Sequence, residues 1–330
     1  MTVLILAPET DEHALAVAGR LRDLGGEVTI VDLADFPQRA SLSASYACCA
    51  DCGGRGFALE LERGRLDLGE VGAVWWRRPQ WPEPSPQIAD DGHRLFAANE
   101  AQEALSGMWH SLDAFWINDP ARDQVAHRKA FQLSVAQDVG LRIPHTLITN
   151  DPVRARAFVD QRGYRAVIYK SFSATERDWR ETRLLRPEEL ELLDNVKYAP
   201  VIFQEYVEAV YDLRVTVVGE ELYAVAIHSQ ETDYKVDFRM DVARARMEAV
   251  ELPAEVQRGL SALMARLGLV YGAIDMRLTP DGRHVFLEVN PAGQWLFVEE
   301  PSGQPIADAM ARLLHARDRA RRDVRAVAVR

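Results

Sequence analysis

Apolar residues fill positions 2–7, and Asp11 then caps an amphipathic helix that runs to about Leu24. Gly25-Gly26 ends that helix before a second apolar strand at Val28–Val31, giving the β-α-β opening of a doubly wound sheet. The first turn, Pro8-Glu9-Thr10-Asp11, lacks G-x-G-x-x-G, which argues against a dinucleotide there. Residues 40–70 are less regular and predict short strands or an excursion. Ala73-Val74-Trp75-Trp76-Arg77-Arg78-Pro79 is an aromatic strand, and its two arginines fall at the edge where open α/β sheets gather ligands. Paired guanidiniums suit carboxylate recognition through forked hydrogen bonds, and structural ion pairs are the alternative. A proline-rich connector from Trp81 to Pro86 leads to a helix over 90–112.

Asn118-Asp119-Pro120 reads as a helix cap with proline at the first helical position. It starts a helix that carries Lys129 and ends at Gly140, and it sets the end of an N-terminal domain, 1–118. A central subdomain, 119–199, follows: strand Thr146–Thr149, a capped helix Pro152–Arg162, and strand Ala166–Ser171 with Lys170 near its end. The hydroxyl-rich stretch from Ser171 to Trp179 predicts a lid. A helix over 187–194 then leads to strands Val201–Val207, Leu213–Val218 and Leu222–His228, and the C-terminal subdomain is drawn as 200–330. A helix from about Pro253 to Leu267 is stopped by Gly268, and a final packing helix runs from Gln304 to Arg322.

Between those two helices, Ala273 to Arg277 and Val285 to Asn290 alternate around the turn Thr279-Pro280-Asp281-Gly282, the signature of a β-hairpin. Glu288 and Asn290 share a face because side chains on a strand repeat every two residues. A two- or four-residue connection brings Asp275 to that face as well. A three-residue loop sends it to the other face unless a bulge intervenes. Facing carboxylates repel unless something neutralises them, and two carboxylates with an amide oxygen are hard ligands suited to Mg²⁺. The alternative is two surface acids on an exposed hairpin.

The chain has 330 residues and a formal charge of −11, long enough for two or three domains and too acidic for a nucleic-acid surface as its main business. No apolar run reaches the ~20 residues that cross a bilayer, and no basic segment opens the chain, so a cytoplasmic protein is expected, with no membrane partner. Cys48, Cys49 and Cys52 are the three cysteines and read as reduced thiols, since no second ligand pair accompanies the C-x-x-C. Only Lys129, Lys170, Lys197 and Lys235 among 39 basic residues are lysines. So strong an arginine bias raises the question of what a compact ammonium does at each.

Lys129, Lys170, the hydroxyl-rich stretch, Phe203-Gln204-Glu205-Tyr206-Val207, Asp212-Leu213-Arg214, Asp275 and Glu288-x-Asn290-Pro291 follow one another in an order that resembles the ATP-grasp ligases over about residues 120–300. The resemblance implies an ATP-grasp fold, mixed α/β and α+β, behind an N-terminal doubly wound domain. It implies ATP held by Lys129 and Lys170, adenine against Gln204 and the backbone of Glu205 and Val207, and ribose on Asp212. Mg²⁺ would sit on Asp275, Glu288 and Asn290. Arg214 and Arg277 would hold the substrate carboxylate and its acyl phosphate, unless each makes an ion pair with a metal-site acid.

Trp75-Trp76-Arg77-Arg78-Pro79 is similar to the W-[WY]-R-R-P motif of the graspetide maturases, relatives of the microviridin ligases. That resemblance implies a ribosomally made precursor peptide, with leader and core, as substrate. Arg77 and Arg78 would recognise its acidic side chains, which become ω-ester or ω-amide crosslinks to Thr, Ser or Lys. A homodimer is implied by analogy. The lid departs from the family in lacking a glycine-rich stretch. Two rivals stand beside this reading: a ligase that adds an amino acid to a protein terminus or a small molecule, and an ATP-binding regulatory module without turnover.

Overall fold

A computed structural model describes residues 2–48, 54–172 and 182–328. Cys49, Cys52 and the lid from Ser173 to Trp179 lie outside the described residues. The chain divides into two compact units, Met1–Pro120 with Pro305–Arg330, and Ala121–Gln304.

In the first unit, β1 (Thr2–Leu6) leads through α1 (Glu12–Asp23) to β2 (Val28–Val31). Asp11 accepts the Ala14 amide at 2.8 Å and so caps α1. Residues 40–67 form an antiparallel meander of β3 (Ala40–Tyr46), β4 (Arg55–Leu61) and β5 (Gly64–Asp67). The chain returns as β6 (Val71–Trp76), crosses through α2 (Asp91–Ser111) and ends the sheet with β7 (Phe115–Ile117). All neighbours in the order β2-β1-β6-β7 are parallel. Val3 to Leu6 and Ala73 to Trp75 are fully buried, which explains why these strands read as continuous apolar runs instead of alternating ones.

The second unit opens with a departure from expectation. The single helix to Gly140 is broken at His127-Arg128 into α3 (Pro120–Ala126) and α4 (Lys129–Asp138). The Gln132 side chain donates to the Ala126 carbonyl at 2.6 Å, taking up one of the carbonyls freed by the break. Lys129 therefore opens a helix instead of lying inside one.

Next come β8 (Thr146–Thr149), α5 (Pro152–Arg162), β9 (Val167–Lys170), β10 (Arg183–Leu184) and β11 (Val201–Glu205). They form an antiparallel sheet ordered β10-β9-β11-β8. Residues 187–198 are a 3₁₀ helix in place of the expected short α-helix. A second antiparallel sheet collects β12 (Tyr211–Val218), β13 (Glu221–Ile227) and β14 (Met247–Ala249). Then α6 (Ala254–Leu267) ends at Gly268 with φ +70°, before β15 (Tyr271–Leu278), β16 (His284–Asn290) and α7 (Leu296–Ser302). The sheet order is β14-β13-β12-β15-β16. Val135 and Ala136 of α4, Leu260 to Leu267 of α6, and Ile274, Phe286 and Val289 share one apolar core beneath it.

The final helix, α8 (Ile306–Ala328), packs on α1, β1 and β6 and belongs to the first unit, not to the 200–330 subdomain drawn from the sequence. Gly72 of β6 makes that seat: a Cβ there would lie 2.3 Å from Asp318 Oδ1. Arg20 of α1 meets Asp308 at 3.0 Å.

Candidate active site

The site is built on a repeated tripeptide. Asp212-Leu213-Arg214 on β12 and Asp275-Met276-Arg277 on β15 run antiparallel, in a register that sets Asp212 opposite Arg277 and Arg214 opposite Asp275. Across β15, Asp275 faces Glu288 on β16. The register then shifts, so that Met276 faces Phe286 and Leu287 is the extra residue of a bulge. Residues 279–283 make the connection, closed by the Thr279 amide on the Arg283 carbonyl at 2.9 Å. The bulge therefore keeps Asp275 and Glu288 on one face. Asn290, opposite Ala273, lies on that face too, with Oδ1 accepting the Ala292 amide at 3.0 Å. Gly293 allows the chain to turn back here, since a Cβ would sit 2.3 Å from that of Ala273.

Lys129, at the start of α4, reaches Glu288 with Nζ 2.5 Å from Oε2. Burial pushes the Glu288 carboxyl up, but Lys129 and Lys170 outweigh it and hold the group well below the usual carboxylate range. Lys170, at the end of β9, is pushed below its ordinary value by burial, with Glu288 opposing and Lys129 adding to the shift. Asp275 moves the other way: burial raises it to about 6, against the pull of Arg214. Its Oδ1 lies 3.3 Å from Arg214 Nε without hydrogen-bond alignment, and among the described residues no hydrogen-bond partner reaches that oxygen. Three groups with displaced affinities for protons thus border one cleft.

The far end of that cleft is lined by Ile168, Gln204, Glu205, Tyr206 and Val207. Gln204 is buried and donates to the Thr146 hydroxyl at 2.8 Å, while the Tyr206 amide holds the Ala166 carbonyl. Asp212 and Arg277 also border this end, but both are engaged. Arg277 Nε donates to Asp212 at 2.8 Å, and its terminal nitrogens donate to the carbonyls of Val207, Lys235 and Val236 at 2.7–3.1 Å. The Ser229 hydroxyl donates to the other Asp212 oxygen. Arg277 stacks 5.1 Å from the Tyr206 ring. Arg277 is thus ion-paired, though with Asp212 and not with one of the acids expected to hold metal, and its guanidinium is tied to four protein acceptors. Arg214 pairs likewise with Asp275 and lies over the rings of Phe238 and Phe297 at 5.7 and 5.4 Å.

Arg239 is the cleft residue that the sequence reading missed. It forks onto buried Asp237, Nε to Oδ1 at 2.7 Å and Nη2 to Oδ2 at 2.5 Å, which holds its pKa above the ordinary arginine value. Asp237 in turn accepts the Arg239 amide and so caps a short 3₁₀ turn. No periodicity marks this loop. The Asp-x-Arg spacing, seen twice already on the strands, was the available signal.

In the first unit, Arg77 is fully buried and its Nε donates to Asp11 at 3.3 Å, with Trp75 5.8 Å from the guanidinium. This buried side chain, tied to a helix cap, makes the kind of structural ion pair that stood as the alternative to recognition of acidic side chains. Arg78 is half-buried, and the amides of both residues donate to the Leu6 carbonyl.

A family model described as a RimK-like ATP-grasp domain matches residues 126–314, more than half of the chain. The chain belongs to this family. A second model, the MvdD pre-ATP-grasp domain, matches residues 2–124. The macrocyclase MdnC of Microcystis aeruginosa, solved with its precursor peptide MdnA, is 31% identical over 95% of this chain and 99% of that one, with a TM-score of 0.85. A RiPP-associated ATP-grasp ligase of Chryseobacterium gregarium, solved with ADP and a leader and core peptide, is 28% identical over 95% and 96%, with a TM-score of 0.85. The ATP-grasp ligase PsnB, solved with a minimal precursor, Mg and ADP, is 25% identical over 96% and 97%, with a TM-score of 0.77. No curated protein matches. The ATP-grasp fold and the graspetide-maturase resemblance expected from the sequence are both borne out, and the fold implies that the chain binds ATP.

Proposed function

We propose that this ATP-grasp chain is a peptide macrocyclase that activates Asp or Glu side chains of a ribosomally made precursor and joins them to Thr, Ser or Lys side chains. One observation carries the ligase chemistry: Lys129, Lys170, Asp275 and Glu288 converge on one cleft, with Glu288 kept ionised. The likeness to MdnC and to the C. gregarium ligase, both solved with peptides, supports a peptide as substrate.

Adenine stacks in the Ile168, Gln204 to Val207 end, and the two ammoniums meet the phosphates. Asp275, Glu288 and Asn290 would hold Mg²⁺. They fit it by chemistry: hard oxygens, one of them a buried carboxylate oxygen without a hydrogen-bond partner. Among the described residues no three His, Cys, Asp or Glu side chains are grouped to hold a metal ion by themselves. When bound, the ion supplies charge compensation to the phosphates. A peptide carboxylate oxygen attacks the γ-phosphorus and ADP leaves. A hydroxyl or amine then attacks the acyl carbon, losing its proton as phosphate departs, and the peptide is lighter by one water. Arg214 and Arg239 steady the carboxylate and the acyl phosphate, Arg277 positions the nucleotide end, and Arg78 reads acidic side chains. A homodimer and a cytoplasmic location belong to the same proposal.

The test is mass spectrometry of the precursor after incubation with the protein, ATP and Mg²⁺. Loss of one water per bond, with ADP released, supports the macrocyclase. A mass gain indicates the amino-acid-adding ligase instead, and an unchanged precursor with no ADP sinks both. Arg78→Ala should leave ATP binding intact and slow peptide processing, read as unchanged ADP affinity beside a reduced product yield.

A further inference from the structure

β16 is the outer strand of its sheet, so every second residue along it turns both backbone groups away from β15. Val289, between Glu288 and Asn290, is one of them. Its amide donates to Gln132 Oε1 at 3.0 Å, and its carbonyl accepts from Gln132 Nε2 at 2.8 Å. The same Nε2 donates to the Ala126 carbonyl, the last residue of α3. A buried primary amide has two donor hydrogens and one acceptor oxygen, and all are used. Gln132 thus stands in for a missing neighbouring strand at one residue.

Position makes this matter. Gln132 lies one turn after Lys129 on α4, and Val289 adjoins Glu288, the residue that Lys129 meets. The break between α3 and α4, the Lys129 ammonium and the strand that carries Glu288 and Asn290 are all registered through one side-chain amide. Packing of Val135 and Ala136 against Ile274 and Phe286 holds α4 near the sheet, but apolar contact does not fix a helix along a strand as two opposed hydrogen bonds do.

We propose that Gln132 is a positioning residue that locks Lys129 and Glu288 into the register needed to bind metal-complexed nucleotide. The inference rests on the ligase reading and adds to it a residue that touches neither nucleotide nor peptide. The adenine end of the cleft does not depend on Gln132, and this separates its effect from general loosening.

The experiment is isothermal titration of ADP, with and without Mg²⁺, into the full-length parent, Gln132→Met and Gln132→Glu. Gln137→Met, at an exposed position on the same helix, serves as control. In the parent and the control, Mg²⁺ strengthens ADP binding. In Gln132→Met that strengthening should fall about tenfold, while metal-free ADP affinity falls less, by the contact of Lys129 with the phosphates alone. Gln132→Glu is isosteric and keeps the acceptor for the Val289 amide, so it should fall between them, and it carries the test if the methionine variant does not fold. A parental Mg²⁺ effect in both variants, or equal losses with and without Mg²⁺, overturns the assignment. A parent that binds no ADP under either condition overturns the ligase reading and this inference together, which the control identifies.

Discussion

Asp212 faces Arg277 and Arg214 faces Asp275 two rungs apart on β12 and β15, yet the two ion pairs are in different states. The first is closed: both Asp212 oxygens accept, and the Arg277 nitrogens run out into backbone carbonyls. The second is left open toward Glu288, with Asp275 Oδ1 lacking a hydrogen-bond donor and its carboxyl raised to about 6 by burial. Each Asp-x-Arg tripeptide gives one residue to a brace and the other to a reactive wall. What differs is the third strand: only the Asp275 rung has a second carboxylate beside it. Burying the Asp275 carboxylate without a hydrogen-bond donor on Oδ1 destabilises the empty protein, and that cost is recovered when a cation arrives.

The largest expected effect lies on the open side. Glu288→Gln should lower macrocycle formation by about 10²–10³-fold and also lower the melting temperature, because it removes charge compensation and the partner of the Lys129 ammonium. Turnover within a few-fold of the parent would take Glu288 out of the site.

Next come the paired substitutions that set one rung against the other. Asp212→Asn breaks a closed buried pair and should cost about 3–5 kcal/mol in denaturant unfolding. Asp275→Asn should hold or raise stability at pH 7.5, by about 1–3 kcal/mol, while turnover falls by orders of magnitude. Equal destabilisation by both would erase the distinction between brace and wall.

The smallest effect is in pH. The folded chain keeps the Asp275 proton up to about 6, whereas the unfolded chain releases it near 3.8. The folded state therefore binds more protons in that window, and this group makes stability fall as pH rises from about 3.8 to about 6. Subtracting the Asp275→Asn unfolding curve from that of the parent across those pH values isolates the slope. A flat difference would mean that Asp275 ionises as freely as in a peptide.

Much of this was legible because it is local. Asp11 caps the helix assigned to it, the helix Pro152–Arg162 is capped as expected, by Asp151, and the alternation around Pro280-Asp281-Gly282 gives a hairpin. The bulge at Leu287 was named only as the condition for Asp275 to face Glu288; turn chemistry alone does not decide it. The break before Lys129 has no glycine or proline to announce it, and Gln132, three positions on, reads in sequence as one more polar residue of a helix. Arg77 looks like any exposed arginine at a strand end until the Asp11 cap and the Trp75 ring are seen to enclose it. Arg239 sits among short 3₁₀ turns where neither period applies.

The seat of α8 carries a consequence for biosynthesis. One covering layer of the first sheet is encoded after the whole nucleotide-binding unit, so the N-terminal strands leave the ribosome with a bare apolar flank that waits for the end of translation. A stop codon after Gln304 would spare every residue of the cleft and still expose that flank, turning a nominal tail deletion into an aggregation defect of the opposite end of the chain.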